Sequence, residues 1–278
     1  MHKANVSVVI PCFNSEATIL RALDSVLQQT LVPNEIVIVD DGSSDSTESI
    51  VSFFLHSNSL INIRYFRLSV NSGPSKARNI GWNYSISKYV AFLDADDTWH
   101  PKKIEIQYEF MEQNSYVDIC GHASGLFKDE IDEVSGKKDF FLFFLHHLLI
   151  KNRFSTPSVI IKREISFRFN ETMRYSEDYN LWLNLAASGH FLAFIPETLC
   201  YLHKERYGEA GLSSNLIHMW LGEISSFFEL WKKNSISLLV LCFFCAFSFL
   251  KLAKRFFCNK ILRFFILNKF KKIIYLNS

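Results

Sequence analysis

Glycine and proline are scarce in this 278-residue chain, ten and six residues, which excludes a collagen-like or other low-complexity fibre. The six cysteines (Cys12, Cys120, Cys200, Cys242, Cys245 and Cys258) show no framework spacing, so a disulfide-stapled scaffold is excluded and reduced thiols are expected. Cys242-x-x-Cys245 lies in an apolar run without a nearby histidine or charge, the setting of ordinary buried residues rather than of a zinc or redox pair. Long apolar spans are also missing: Ile236–Leu250 carries no charge but has only fifteen residues, below the ~20 that cross a bilayer comfortably. Acidic residues are absent from 251–278, where eight Lys/Arg fall (Lys251, Lys254, Arg255, Lys260, Arg263, Lys269, Lys271 and Lys272). The residues before 251 therefore hold 22 basic against 28 acidic side chains, net −6, and the basic character belongs to the tail alone.

What is present is a 49% hydrophobic composition, ample for a sizeable core, in a length that fits one large α/β domain plus an appendage. The first residues read as a strand rather than a signal peptide, so a cytoplasmic body is expected. Short apolar runs alternate with helical patterns over the first hundred residues, as in a parallel sheet with crossover helices. Strands are predicted at Val6–Ile10, Glu35–Val39, Ile63–Phe66 and Tyr89–Leu93. Helices are predicted between the first two, where Ala17, Leu20, Leu23, Val26 and Leu27 recur behind the capping candidates Asn14 and Ser15, and at Thr47–His56 and Ser75–Ser85. Pro101 opens a further helix. Beyond it the pattern predicts strands at Val117–Gly121 and Pro157–Ile161, a polar loop around 128–138, an apolar stretch Phe140–Ile150, and a helix Glu177–Ala187 capped by Ser176. His146-His147 sit on that apolar stretch; neighbours on a helix point about 100° apart, so packing or an acceptor-facing surface fits them better than a shared metal.

Three acidic clusters carry the chemistry. Asp94-Ala95-Asp96-Asp97 ends an apolar strand, and period-two alternation puts Asp94 and Asp96 on one side. Like charges gathered there call for a compensating cation, and a divalent ion holding phosphate oxygens supplies one. Asp40-Asp41-Gly42-Ser43-Ser44-Asp45 follows Ile36–Val39 and reads as a strand-to-helix turn with Asp45 or Ser46 as cap. Its two adjacent carboxylates exceed what a turn requires, which makes one of them a candidate acceptor for a nucleobase or ribose. Glu177-Asp178 opens a helix, where carboxylates also serve simply to stabilise the N-terminus by roughly 0.3–1 kcal/mol each.

These clusters, with Val6-Ser-Val-Val-Ile-Pro11-Cys-Phe-Asn14, Asn71-Ser-Gly73-Pro-Ser-Lys-Ala-Arg78-Asn79-Ile-Gly81 and Ser176-Glu177-Asp178-Tyr179, resemble in order and spacing the family 2 glycosyltransferases over roughly residues 5–205. The resemblance implies a GT-A fold, a nucleotide-binding α/β sheet over residues 1–100 merged with an acceptor half over 101–230; composition adds a membrane-associating helical tail, 231–278. It implies that Pro11, Asn14 and Glu16 shape the nucleotide pocket, that Asp41 contacts the base, that Arg78 and Asp94 lie at the donor, and that Asp96, joined by His203, holds Mn²⁺ or Mg²⁺. Asp178 would be the general base of a single inverting displacement. The Gln-x-x-Arg-Trp motif of processive synthases is missing, which favours addition of one sugar, and the family's Tyr-Arg-x-His segment reads here Tyr201-Leu-His203-Lys-Glu-Arg206, which leaves a surface position open for His203.

The tail mixes its cations with Phe256, Phe257, Ile261, Leu262, Phe264, Phe265 and Ile266, the composition of a basic amphipathic helix at an anionic membrane. Attachment to the interface, a short insertion at 236–250 and a helical hairpin docked on a partner all remain open; a nucleic-acid partner is not expected, because so many apolar residues serve no phosphate contact. The combined expectation is transfer from a nucleotide-sugar, a UDP-sugar, to a polyprenyl-diphosphate-linked glycan for surface polysaccharide, at the cytoplasmic face of the cell membrane. A non-catalytic membrane adaptor that binds nucleotide-sugar is the alternative.

Overall fold

A computed structural model describes residues 3–58, 61–127, 131, 133–134, 139–203 and 215–255. Most of the polar loop at 128–138 and the tail from 256 onward, including Cys258, lie outside the described residues. The chain divides into two units, Met1–Ser214 and Asn215–Ser278.

In the first unit nine strands form one sheet: β1 (Ala4–Cys12), β2 (Pro33–Asp40), β3 (Asn62–Arg67), β4 (Tyr89–Phe92), β5 (Thr98–Trp99), β6 (Ile119–Leu126), β7 (Phe141–Phe143), β8 (Ile160–Lys162) and β9 (Leu192–Leu202). Their order is β3-β2-β1-β4-β8-β6-β9-β5, with β7 also on β9. The first four pair in parallel, each followed by a helix or acidic turn, as the alternating pattern predicts. Antiparallel pairs enter at β4–β8 and β8–β6 and again where β5 and β7 meet β9. The strand order reverses at β1, which has β2 on one side and β4 on the other; in open α/β sheets that switch point, outside the carboxyl ends of the strands, is where ligands enter.

β1, β2 and β4 are buried almost throughout, so they read as continuous apolar runs instead of alternating ones. Crossover helices α1 (Ile19–Leu27), α2 (Thr47–Ser57) and α3 (Pro74–Tyr84) cover the parallel part. α1 buries Ile19, Ala22, Leu23 and Val26 on one stripe, and α3 lies so close to β1 that a Cβ on Gly81 would stand 2.3 Å from a methyl of Val9. Only glycine permits that approach.

The sequence places α1 correctly but not its cap. Thr18 occupies the N-cap without a side-chain hydrogen bond, while Asn14 sits at φ +48° and Ser15 supplies only its carbonyl to the Thr18 and Ile19 N–H groups. Those two residues are engaged elsewhere, as described below. α4 (Lys103–Gln113) starts two residues after Pro101, and α6 (Glu177–Ala187) spans the predicted residues. The apolar stretch 140–150 splits into β7 and a short helix α5 (Leu145–Ile150), and the predicted strand at 157–161 begins as a 3-10 turn, Thr156–Ser158, before β8. β5, β9 and α7 have no counterpart in the pattern reading.

The second unit holds α7 (Leu216–Lys232) and a helical segment at 238–255. They meet through Phe227–Phe244 and Trp220–Phe249 ring contacts and the Lys251–Glu223 ion pair at 2.6 Å. Among the described residues no helix is long and apolar enough to cross a membrane. Cys242 is exposed and Cys245 half-buried, which corrects the expectation that both are core residues: Cys242 falls on the outer stripe of this helix with Leu239 and Phe243, exposed by 83% and 64%.

Candidate active site

Three loops leave the carboxyl ends of β1, β2 and β4 side by side. The loops after β1 and β2 are stitched together by reciprocal bonds. Asn14 N–H donates to Ser43 Oγ at 2.9 Å and Asn14 Oδ1 accepts from Ser44 N–H at 2.9 Å. Glu16 N–H donates to Asp45 Oδ2 at 3.0 Å, and Glu16 Oε2 accepts from Ser46 N–H at 2.9 Å. Glu16 thereby satisfies an orphan N–H at the start of α2 that Ser46, the N-cap residue, leaves open. Asp45 accepts from Thr47 N–H and Oγ1, which holds its carboxyl below the usual range despite the opposing desolvation. Pro11 is buried at the base of this ledge.

Asp40 is internal, accepting from Ser43 N–H at 2.8 Å and the Tyr65 hydroxyl at 2.6 Å. Asp41 is buried, and its two oxygens accept from the Ser72 and Gly73 N–H groups at 2.7 Å each. Burial pushes its pKa up, against those two bonds. The second carboxylate of the pair thus anchors the loop before α3, while each oxygen keeps a lone pair for a further donor. Gly42, directly after the pair, has φ +76°, and a Cβ there would stand 3.0 Å from the Val70 carbonyl carbon, so the turn needs its glycine.

Arg78 is the hub. It reaches from α3 with Nη2 on Asp94 Oδ1 at 2.8 Å and Nη1 on Glu177 Oε1 at 2.9 Å, and its guanidinium lies 5.4 Å from the Phe169 ring centre. Burial opposes its charge, but the two carboxylates outweigh it and hold Arg78 firmly protonated. Asp178 follows Glu177 at the start of α6, and Ser176 before it adopts φ +57°, the left-handed region. Burial first, and the Glu177 carboxylate second, push Asp178 up to about 7. A carboxyl group with that proton affinity exchanges protons near neutrality.

The remaining acids crowd the turn after β4. Asp97 is buried and pushed up to about 8 by desolvation and by Asp94 and Asp96. Arg21 of α1 donates to the Asp96 carbonyl at 2.8 Å. The antiparallel pairing of Thr98 with Tyr201 carries the end of β9 to this turn, so His203 arrives with Nε2 2.9 Å from Thr98 Oγ1 and its ring stacked on Phe127 at 4.5 Å. Desolvation, and after it the nearby Arg21, lowers the His203 pKa. Among the described residues no group of three His, Cys, Asp or Glu forms a metal cage. The Asp96 carboxylate and the His203 imidazole, close enough to interact electrostatically, are donors that would suit a divalent ion taking its other ligands from a diphosphate.

The site residues read from sequence are thus distributed over one carboxyl-end face: Pro11, Asn14, Glu16 and Asp41 on the ledge, Arg78 with Asp94 beside Glu177 and Asp178, and Asp96 near His203. Sequence reasoning did not find Arg21 or the Phe127 stack, because both depend on the β5–β9 pairing and on a helix face with no local motif. The His146 and His147 rings do meet, with Nε2 atoms 3.1 Å apart. Both residues lie in the first turn of α5, just after the extended N-cap Phe144. His147 Nδ1 accepts from Phe144 N–H at 3.2 Å.

The chain belongs to glycosyl transferase family 2, whose sequence model matches residues 7–170. Over 213 residues it is 30% identical to the UDP-Glc:alpha-D-GlcNAc-diphosphoundecaprenol beta-1,3-glucosyltransferase WfgD of Escherichia coli, covering 76% of this chain and 80% of that protein. An uncharacterized glycosyltransferase of Rickettsia felis is 44% identical over 124 residues, 45% of this chain; the chain spans only about a fifth of that relative's length, 20%. The fold is shared with S. aureus TarS 1–349 in complex with UDP-GlcNAc, at TM-score 0.65 and 21% identity over 83% of this chain and 66% of that one. It is shared equally with a mannosyltransferase from Pyrobaculum calidifontis in complex with GDP-Man and Mn²⁺, at TM-score 0.65 and 16% identity over 91% and 75% of the two chains.

Proposed function

We propose that this chain is an inverting glycosyltransferase that moves one sugar from a UDP-sugar to a polyprenyl-diphosphate-linked glycan at the cytoplasmic face of the cell membrane, for surface polysaccharide. The observation that carries the reading is the Arg78 bridge, which bonds Asp94 after β4 on one side and Glu177, the residue before Asp178 in the first turn of α6, on the other. WfgD, named for a UDP donor and a diphosphoundecaprenol-linked acceptor, supports the choice of both substrates.

In this reading Pro11, Asn14 and Glu16 form the wall for the nucleoside, and Asp41 offers its spare lone pairs to the base. Asp94, steadied by Arg78, faces the ribose and donor sugar. Asp96 and His203 would hold Mn²⁺ or Mg²⁺, which when bound offsets the charge of the departing diphosphate. Asp178 accepts the proton of the acceptor hydroxyl as that oxygen bonds to the anomeric carbon from the face opposite the leaving group, and the bond to the diphosphate breaks with inversion. Arg21, beside the acidic turn, adds a cation on the diphosphate side. The exposed apolar stripe of 238–255 and the exposed cations Lys254 and Arg255 would hold the enzyme on the surface that confines a lipid-linked acceptor.

The test is transfer from a panel of labelled UDP-sugars to a synthetic polyprenyl-diphosphate-linked glycan, run beside UDP titrations with and without Mn²⁺. Sugar transfer and metal-strengthened UDP binding are expected. UDP binding without transfer to any acceptor would favour a non-catalytic adaptor.

A further inference from the structure

The mechanism assigns no task to Glu177, yet this side chain has the more specific geometry of the acidic pair. It is buried, 8% exposed, and its Oε1 is bonded to the Arg78 Nη1 at 2.9 Å across 99 residues of sequence. The other edge of the same guanidinium is bonded to Asp94 at 2.8 Å. A planar fork that bonds one carboxylate on each side fixes distance and angle together, which a lysine would not do. One end of this bridge is the turn after β4, where the donor is expected. The other is the first turn of α6, entered through the left-handed Ser176. Such a residue persists only where neighbours hold it, and the Arg78–Glu177 bond is adjacent.

We propose that Glu177 is a positioning residue: through Arg78 it ties the first turn of α6 to Asp94 and so sets where the Asp178 carboxylate stands relative to the donor. The inference rests on Asp178 acting as the base. The charged groups acting on Asp178 are Glu177 on its own helix, Arg78 on α3 and Asp94 after β4; α5, which packs on α6, carries His146 and His147 as its titratable residues. Glu177 therefore has two separable effects, a bond that positions and a charge that raises the proton affinity of its neighbour.

The experiment compares Glu177→Ala, Glu177→Gln and Asp178→Asn in the full chain, measuring kcat, the donor KM and the pH dependence of kcat/KM. Loss of the bond in Glu177→Ala is expected to lower kcat by about a hundredfold, the usual scale for a misplacement near 1 Å, with donor KM changed by less than about threefold. Glu177→Gln keeps an oxygen for Arg78, so it should recover most of kcat while the midpoint of the pH profile moves to lower pH. Glu177→Ala at wild-type kcat, or Glu177→Gln that recovers none of the lost kcat, overturns the proposal. Where Glu177→Ala does not fold, Glu177→Asp decides: it keeps the charge but is one methylene short of Arg78, so kcat should fall with the midpoint nearly unmoved, and wild-type kcat overturns the proposal. Asp178→Asn separates the two levels: if it retains turnover the base assignment fails, whereas an inactive Asp178→Asn beside wild-type-like Glu177 variants defeats only the positioning role.

Discussion

Lys103, on α4 directly behind the acidic turn, is fully buried and its Nζ has no hydrogen-bond partner among the described residues. Its ammonium lies 3.8 Å from the centre of the Trp99 ring. Burial pulls its pKa from 10.5 down to about 7. At ~1.4 kcal/mol per tenfold change in proton affinity, holding this group charged in the native state costs about 5 kcal/mol. The sign follows from the order of the two values. Below pH 7 both states are protonated and the cost is complete; between 7 and 10.5 the unfolded chain binds the extra proton, so stability rises with pH. From pH 7 to 9 the gain from this group is roughly 2 kcal/mol. Lys103→Met keeps the unbranched shape, removes the charge and forfeits a cation–π contact worth up to ~2 kcal/mol, so the variant should be more stable at pH 7 by roughly 2–3 kcal/mol. Asp97, pushed up to about 8, works in the opposite direction up to about that pH, so the readout is the difference between wild type and variant in urea denaturation at pH 7 and 9. That difference should shrink by about 2 kcal/mol on going to pH 9. A variant less stable than wild type at pH 7, with an unchanged pH difference, would refute the reasoning.

Other expectations follow from the same contacts. With Asp178 near 7 and required in its ionised form, kcat/KM should climb tenfold per pH unit below the midpoint and reach only about a tenth of its plateau at pH 6; a profile flat from 5 to 8 would mean an ordinary aspartate. Gly81→Ala drives a methyl into Val9 at 2.3 Å and should cost about 1–3 kcal/mol in thermal or urea unfolding, and an unchanged midpoint would contradict the close packing of α3 on β1. Replacing both Leu239 and Phe243, exposed by 83% and 64%, with glutamate should release the protein from anionic vesicles in a sedimentation assay, and unaltered binding would remove this helix from the membrane contact.

Much of the donor half was legible because its signals are local. Strands buried on both faces read as runs of Val and Ile, and the three acidic clusters mark the carboxyl ends of β2 and β4 and the start of α6. The rest of the site arises from pairing at long range. Thr98–Trp99 is too short to announce a strand, yet its pairing with Tyr201 brings His203 to Asp96. Asn14 and Ser15 look like caps for the helix that follows them, but Asn14 bonds Ser43 and Ser44 in the loop after β2, while Ser15 gives its backbone N–H to Thr47 at the start of α2 and its hydroxyl to the Phe13 carbonyl. Glu177 looks like a helix-stabilising acid, and only the fold reveals Arg78 on its carboxylate. Lys103 lies in a polar stretch and carries no sign of burial, since nothing in its neighbours foretells Trp99 and the β6 residues closing over it.

The most direct test of the central claim is a labelled transfer assay in which wild type and Asp178→Asn meet the same UDP-sugar and polyprenyl-diphosphate-linked glycan, with UDP affinity measured in parallel. The account predicts that the variant binds UDP as wild type does and transfers sugar at least about a hundredfold more slowly. Undiminished transfer by Asp178→Asn would contradict it.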